Sequence, residues 1–306
     1  MKVAIIGYGN VAQYYITALK KLAKDIFVCS THKPEKLDKD FTFFTNYKDR
    51  HIQLVDLIIV ATPPYLHLDM TEFFLERKRK IILEKPAVIS LKELSRLREM
   101  SADNNNLYFA YHSVFNPLIQ QARRFINSSD IKSIKVNYQE CVFRYHPNKN
   151  NWIFNSKYSG GGCLIDSGIN IFSILYQFIP KLSYINGVLK KRKLLVEDYI
   201  NINLSSENNV KVSLKMNWLS NEEKREFVFN SNPAVKVNLA VNKISINDIK
   251  IKLLDKKIDR IDLFSEYEYL LKDALNYFQA GKTLLNHSPL LPLETVLSIY
   301  RKNSYA

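Results

Sequence analysis

The sequence carries three groups of residues whose types and spacing suit chemistry on a phosphorylated cofactor. The first is Gly7-Tyr8-Gly9-Asn10-Val11-Ala12. Glycine at 7 permits a tight turn, glycine at 9 lets backbone approach a pyrophosphate, and a small residue at 12 lets a helix pack closely on a strand. A helix opening here points unpaired N–H groups at the phosphates. Alone the pattern is weak; between an apolar strand and a helix it gains force. An ordinary tight turn is the alternative. The second group is Ser30-Thr31-His32-Lys33. An acidic residue in such a place binds the ribose 2′-hydroxyl of NAD, yet none precedes Glu35. Ser30, Thr31 and His32 suit a 2′-phosphate, with Lys33 adding charge, so NADP is the expected cofactor and NAD use stays open. A solvated turn is the alternative. The third group is Thr62-Pro63-Pro64 with His67, then Glu84-Lys85-Pro86, then His112. These stand at or just beyond the C-terminal ends of apolar runs, where open α/β sheets hold their ligands. Taken singly, His67 also fits a helix cap and His112 a satisfied core histidine.

Those groups need a scaffold, and the first 111 residues supply its pattern. Strands are predicted at Lys2–Ile6, Ile26–Cys29, Phe41–Phe44, Leu57–Ala61, Ile81–Leu83 and Leu107–Tyr111. Helices are predicted over Val11–Ala23, with Leu22 on the packed face, and over Leu66–Arg77. Ser90 and Glu93 form a capping box before Leu94, Leu97 and Met100. This alternation implies a doubly wound parallel sheet, a Rossmann fold, over residues 1–112. After Pro117 the pattern changes. A helix over Ile119–Ile126 precedes an alternating segment, Ile131–Phe143. The glycines Gly160–Gly162 open a helical stretch ending near Pro180. From Tyr184 to about Leu254 strand candidates follow, at Ile200–Leu204, Val210–Met216, Phe227–Asn230 and Val235–Val241. Two helices close the chain, Glu266–Ala280 and Pro292–Lys302. Residues 113–306 therefore read as an α+β domain with an open, mainly antiparallel sheet, whose C-terminal helix is free to pack back on the first domain.

Composition narrows the classes. With 306 residues, 46% of them hydrophobic, and only 8 glycines and 10 prolines, the chain supports a core and is not a disordered tract. No apolar run reaches the ~20 residues that span a bilayer, and the start lacks a signal-peptide pattern. Cys29, Cys141 and Cys163 are odd in number and scattered, which argues against a disulfide framework and a metal site. A cytoplasmic enzyme with no membrane partner is expected. The net charge is +14. Its basic residues are dispersed, and Arg77–Lys80 and Lys190–Lys193 lack interleaved aromatics, so nucleic acid is not the expected partner.

Four pieces, in order, resemble the family of glucose–fructose oxidoreductases, inositol dehydrogenases and rhizopine-catabolism proteins (Gfo/Idh/MocA). They are Gly7–Ala12; Ala61-Thr62-Pro63-Pro64 with His67; Glu84-Lys85-Pro86; and Gly160-Gly161-Gly162-Cys163-Leu164-Ile165-Asp166-Ser167-Gly168. The family usually carries histidine where Asn170 stands here. Asp166-Ser167-Gly168-Ile169-Asn170 looks like the aldose 1-dehydrogenases that act on L-arabinose or D-galactose. His146-Pro147 with Trp152-Ile153-Phe154, and Tyr111-His112-Ser113, resemble the same subgroup, although Val114 replaces an arginine. In that subgroup Ser30 and His32 go with NADP.

The resemblance implies oxidation of the anomeric carbon of a pyranose sugar to a lactone, by hydride transfer to nicotinamide. Asp166 and Asn170, four residues apart, share a helix face if the stretch is helical. Asp166 is the candidate base, Asn170 a hydroxyl ligand, and Lys85 orients the nicotinamide ribose or stabilises the alkoxide; Asp166 and Lys85 both remain candidates for the proton. The glycines at 160–162 would allow close backbone approach. Trp152, His112, Asp166 and Asn170 are expected to bind the sugar. Gly7, Tyr8, Gly9, Asn10, Val11, Ser30, Thr31, His32, Thr62, Pro63, His67, Glu84 and Lys85 are expected to bind the cofactor. The alternatives are a polyol or nucleotide-sugar dehydrogenase and a non-catalytic NADP-binding sensor. An oligomer through the C-terminal sheet is compatible with this plan.

Overall fold

The computed structural model describes residues 1–35, 37–102, 104–252 and 261–303. The chain forms two compact units, Met1–His112 with Leu263–Leu284, and Ser113–Asp262 with Leu285–Ala306.

The first unit is built on six parallel strands. These are β1 (Lys2–Ile6), β2 (Asp25–Cys29), β3 (Phe41–Phe44), β4 (Leu57–Val60), β5 (Lys80–Glu84) and β6 (Leu107–Ala110), in the order β3-β2-β1-β4-β5-β6. Every residue of β4 and β6 is buried, as continuous apolar strands covered on both faces require. The chain order reverses between β1 and β4, and this switch point opens a crevice at the strand ends. The first helix is Asn10–Leu19 and buries Ala12, Tyr15, Ile16, Ala18 and Leu19. It is shorter than expected, because the chain turns after Leu19 and leaves Leu22 exposed. The helix His67–Leu75 follows a short 3₁₀ turn at Pro64–Leu66, where proline suits a first helical turn. The capping box of Ser90 and Glu93 opens Leu91–Ser101 as expected. The helix Leu263–Ala280 packs on Asn10–Leu19 through an aromatic cluster. Tyr267 stacks on Tyr14 with centroids 5.1 Å apart and meets Tyr15 edge-on at 4.9 Å.

The second unit holds eight strands. They are β7 (Ser133–Cys141), β8 (Leu182–Lys190), β9 (Tyr199–Ser206), β10 (Lys211–Asn217), β11 (Leu219–Asn230), β12 (Val235–Asn238), β13 (Lys243–Ile246) and β14 (Ile249–Ile251). Their order is β14-β13-β12-β11-β7-β10-β9-β8. All pairs are antiparallel except β7 with β10. Alternation places Ile134 and Val136 of β7, Val212, Leu214 and Met216 of β10, and Phe227 and Phe229 of β11 on the buried side. In the same unit the helix Ile169–Leu175 is buried at every residue except Asn170. The terminal helix Leu291–Lys302 also belongs to this unit, whereas Leu263–Ala280 belongs to the first. The segment expected as strand over Val235–Val241 ends at Asn238, where Leu239–Val241 forms a 3₁₀ turn. Leu254, near the expected end of the strand region, lies outside the described residues.

Candidate functional site

The first unit gathers its candidates at the strand ends. Gly7 has φ of +101°, and a Cβ there would stand 2.5 Å from the Ala61 carbonyl oxygen. Only glycine lets β1 turn that close to the end of β4. Gly9 differs: a Cβ there would meet nothing within 4 Å. Gly9 is also the N-cap of Asn10–Leu19, without a side-chain cap and with no acidic residue in the first turn. The opening amides therefore keep their anion-binding capacity, which fits a pyrophosphate. At the end of β2, Ser30 is half-buried and Thr31, His32 and Lys33 are exposed. The Thr31 hydroxyl lies 3.0 Å from His32 Nδ1.

His67 and Glu84 are buried and hydrogen-bonded within the protein. His67 is 0% exposed, with Nε2 2.8 Å from the Thr62 carbonyl and Nδ1 2.9 Å from that of Pro86. The ring lies between the loop after β4 and the loop after β5, and its single N–H in the neutral form donates to one of the two carbonyls. Burial pushes this imidazole down to about 4, against the pull of the carbonyls toward the protonated ring. Glu84 is 3% exposed and accepts hydrogen bonds from the Tyr15 hydroxyl at 2.8 Å and the Lys85 amide at 3.1 Å. Burial raises its carboxyl above the ordinary range, and the charge of His112 and the Tyr15 hydroxyl pull it back. Both residues, expected among the cofactor ligands, contact the backbone of Thr62, Pro86 and Lys85. Lys85 is half-buried at the end of β5, beside that network. His112 is 8% exposed, with Nδ1 2.7 Å from Glu266 Oε2 and its ring stacked on Tyr267 at 5.0 Å. A satisfied histidine of this kind is anchored by the helix Leu263–Ala280.

The second unit carries Asp166 and Asn170. The chain from Leu164 to Gly168 is a π-helical turn that runs into Ile169–Leu175. Such turns are rare and occur mostly at functional sites. Between Gly161 and Ile179 every residue is buried except Asp166 and Asn170. Asn170 Oδ1 is nonetheless an occluded atom with no hydrogen-bond partner. Trp152, in the 3₁₀ turn Trp152–Phe154, is half-buried while Ile153 and Phe154 are buried.

The glycines before this turn serve packing. A Cβ on Gly161 would collide with the ring of Tyr300, and one on Gly162 with the backbone of Glu197. Glu197 is 0% exposed and receives the amides of Gly162 at 2.8 Å and Leu164 at 3.0 Å, and the Tyr300 hydroxyl at 2.5 Å. A second buried carboxylate stands at the other end of the turn. Glu140 Oε1 accepts from the Ser167 hydroxyl at 2.6 Å and from Trp218 Nε1 at 3.0 Å, and Oε2 from Arg225 at 3.3 Å. Burial raises both carboxyls, and their donors pull them back. Neither glutamate was among the expected site residues. Glu140 carried a signal: it falls in phase with Ile134 and Val136, and a carboxylate on the buried face of an alternating strand needs partners. Glu197 carried none.

No group of acidic, histidine or cysteine side chains able to hold a metal ion occurs among the described residues. Nor does any described helix have the length and apolarity to cross a membrane.

Residues 1–112 match the family model described as an oxidoreductase family with an NAD-binding Rossmann fold, and residues 119–235 match the Gfo/Idh/MocA C-terminal domain. A D-xylose 1-dehydrogenase [NADP(+)] of Haloarcula marismortui is 26% identical over 37% of this chain and 33% of its own length. The glucose-6-phosphate 3-dehydrogenase of Bacillus subtilis is 26% identical over 70% of this chain and 66% of its own. The chain thus spans from a third to just under two-thirds of these curated relatives. In fold it is similar to the D-galactose-1-dehydrogenase protein from Rhizobium etli, with a TM-score of 0.81 at 21% identity over 98% of this chain and 94% of that one. The two matched domains run in the family's order along most of the sequence, and the chain belongs to the Gfo/Idh/MocA oxidoreductase family.

Proposed function

We propose that the protein is an NADP-dependent aldose 1-dehydrogenase, also able to use NAD, that oxidises the anomeric carbon of a pyranose of the L-arabinose or D-galactose type to its lactone. The observation that carries this reading is the pair Asp166 and Asn170, alone in reaching the surface of an otherwise buried segment. The carboxylate can accept a hydrogen bond from a sugar hydroxyl and the amide can hold one. The relatives that act at C1 of xylose and galactose support the substrate class.

The cofactor, when bound, supplies the hydride acceptor. Gly7, Tyr8, Gly9, Asn10 and Val11 would hold its pyrophosphate, Ser30, Thr31 and His32 its 2′-phosphate, and Thr62, Pro63 and Lys85 its nicotinamide half. In the reaction the C1–H bond breaks with its electron pair, the C1 hydroxyl loses its proton, and a carbonyl forms. Asp166 takes that proton as general base. Asn170 holds the hydroxyl by hydrogen bonds and Lys85 stabilises the charge that develops on the oxygen. Trp152 offers an apolar face to the ring, and His112, fixed by Glu266, is the remaining sugar contact.

The test is NADPH formation, followed by absorbance, from a panel of aldoses with NADP and NAD in parallel. Turnover of L-arabinose, D-galactose or a close epimer is expected. Turnover only of inositols, nucleotide sugars or sugar phosphates would refute it. Asp166→Asn should lower kcat by on the order of 100-fold or more with NADPH affinity unchanged. If Lys85→Met alone does this and Asp166→Asn does not, the base is Lys85.

A further inference from the structure

Asp166 stands in a π-helical turn that no backbone regularity would hold in place, since one extra residue per turn weakens the helical ladder. The turn is instead tied to the sheet by Ser167, the next residue. Its hydroxyl donates to Glu140 Oε1 at 2.6 Å, and the same oxygen accepts from Trp218 Nε1 at 3.0 Å. Trp218 Nε1 also lies 3.0 Å from the Ser167 oxygen, so the three side chains close a small triangle. All three residues are buried: Glu140 at 7%, Ser167 at 4% and Trp218 at 1% exposure. Arg225 takes the other oxygen of Glu140 and donates to the Tyr145 hydroxyl at 2.8 Å, with its guanidinium 5.5 Å from the Tyr138 ring centroid. The carboxylate is thereby fixed from the sheet side by residues of β7 and β11.

We propose that Glu140 is a positioning residue for Asp166, acting through Ser167 and Trp218 to fix the turn that presents the base. This rests on the reading of Asp166 as the base. Three donors converging on one buried carboxylate, from Ser167, Trp218 and Arg225, lock the backbone next to it, and a reacting group misplaced by 1 Å costs on the order of 100-fold in rate.

The experiment compares Ser167→Ala, Glu140→Ala and Glu140→Gln in the full chain. Two readouts are taken: amide hydrogen exchange of the peptide covering 161–170, and kcat and KM with the best aldose of the panel. Ser167→Ala and Glu140→Ala should raise exchange in that peptide and lower kcat on the order of 10- to 100-fold, with sugar KM and NADPH affinity within about twofold. Glu140→Gln keeps an oxygen for both donors and should recover about tenfold of what Glu140→Ala loses. Unchanged exchange in Ser167→Ala overturns the inference. So does raised exchange with kcat intact, which would make the triangle a structural fixture, and so does a Glu140→Gln variant as slow as Glu140→Ala. Absence of turnover by the parent protein with every aldose sinks the reading of the base itself, and it is seen before any variant is made.

Discussion

Replacing Gly162 by alanine places a methyl group 2.9 Å from the Glu197 nitrogen, 3.0 Å from its carbonyl carbon and nearer still to its carbonyl oxygen. All three are backbone atoms, so no rotamer relieves the contact. Ordinary contact begins at 3.4 Å, and relieving the contact with the carbonyl oxygen requires the two segments to part by more than about 1 Å. That movement runs along the hydrogen bonds that join them. The Gly162 amide lies 2.8 Å from the Glu197 carboxylate, and the Cys163 amide 2.9 Å from its carbonyl. The Leu164 amide donates to the same carboxylate at 3.0 Å. A bond to a charged group contributes ~1.5–3 kcal/mol, and a buried group left unpaired costs a similar amount. Losing two of the three would remove ~3–6 kcal/mol, a large share of a domain's ~5–15 kcal/mol.

Both tryptophans, Trp152 and Trp218, lie in the second unit, so their fluorescence in urea reads that unit. At a slope of ~2 kcal/mol/M the midpoint should fall by ~1.5–3 M. NADPH binding, which draws on the first unit, should be unchanged. Gly160→Ala is the control, since Gly160 caps Ser156–Ser159 with φ of +79° and its substitution costs only ~1–2 kcal/mol. An unchanged Gly162→Ala midpoint together with lost sugar turnover would refute the reasoning, because the glycines would then serve the ligand.

Gly9→Ala should weaken NADPH binding about tenfold, ~1.4 kcal/mol, and leave the melting midpoint unmoved, since no protein atom lies within 4 Å of the added carbon; fluorescence titration checks this. His32→Asp should raise the KM for NADP about tenfold or more, ~1.4 kcal/mol, and lower that for NAD, because a carboxylate repels the 2′-phosphate and binds the 2′-hydroxyl. His67 binds fewer protons folded than unfolded between about 4 and its ordinary 6.5. Stability of the first unit is therefore full above pH 6.5 and falls, by up to ~3 kcal/mol, as pH drops toward 4. Thermal melts across that range, with His67→Gln as the flat control, measure the slope.

The parallel sheet was legible because its strands are short, largely apolar runs that alternate with helical patterns, and the Phe41–Phe44 strand falls where the residues place it. The mainly antiparallel sheet was legible where alternation is strong, as in β9 and β10. β8 escaped notice because most of Leu182–Lys190 is exposed, so neither face carries an apolar signature. β13 and β14 are only four and three residues long, too short to show an alternation. The assignment of Leu263–Ala280 to the first unit rests on Tyr267 meeting Tyr14 and Tyr15, a pairing of distant residues that no local pattern encodes. Asp166 and Asn170 were picked out by the family resemblance, but the hydrogen bonds that Glu140 and Glu197 accept from the π turn and its approach were not legible. Each of those is an isolated acidic residue until the fold supplies its donors.

The chain has two glycine-bearing turns that lead into helices, and they solve the same electrostatic problem in opposite ways. Every helix start leaves amides unpaired and a partial positive charge. At Gly7–Gly9 neither a side-chain cap nor a first-turn carboxylate answers that charge, and a Cβ at Gly9 would meet no protein atom. At Gly160–Gly162 the answer is internal: Glu197 fills the amide end, and Tyr300 and the Glu197 backbone occupy the space a side chain would need. Glycine in the first turn keeps a site clear for an anion that is not part of the chain. Glycine in the second makes room for a carboxylate that is. The motif type is shared, so it cannot by itself assign a ligand. What distinguishes the two is the identity of the group that takes the amides, and that group comes from residue 197, 35 positions along the chain.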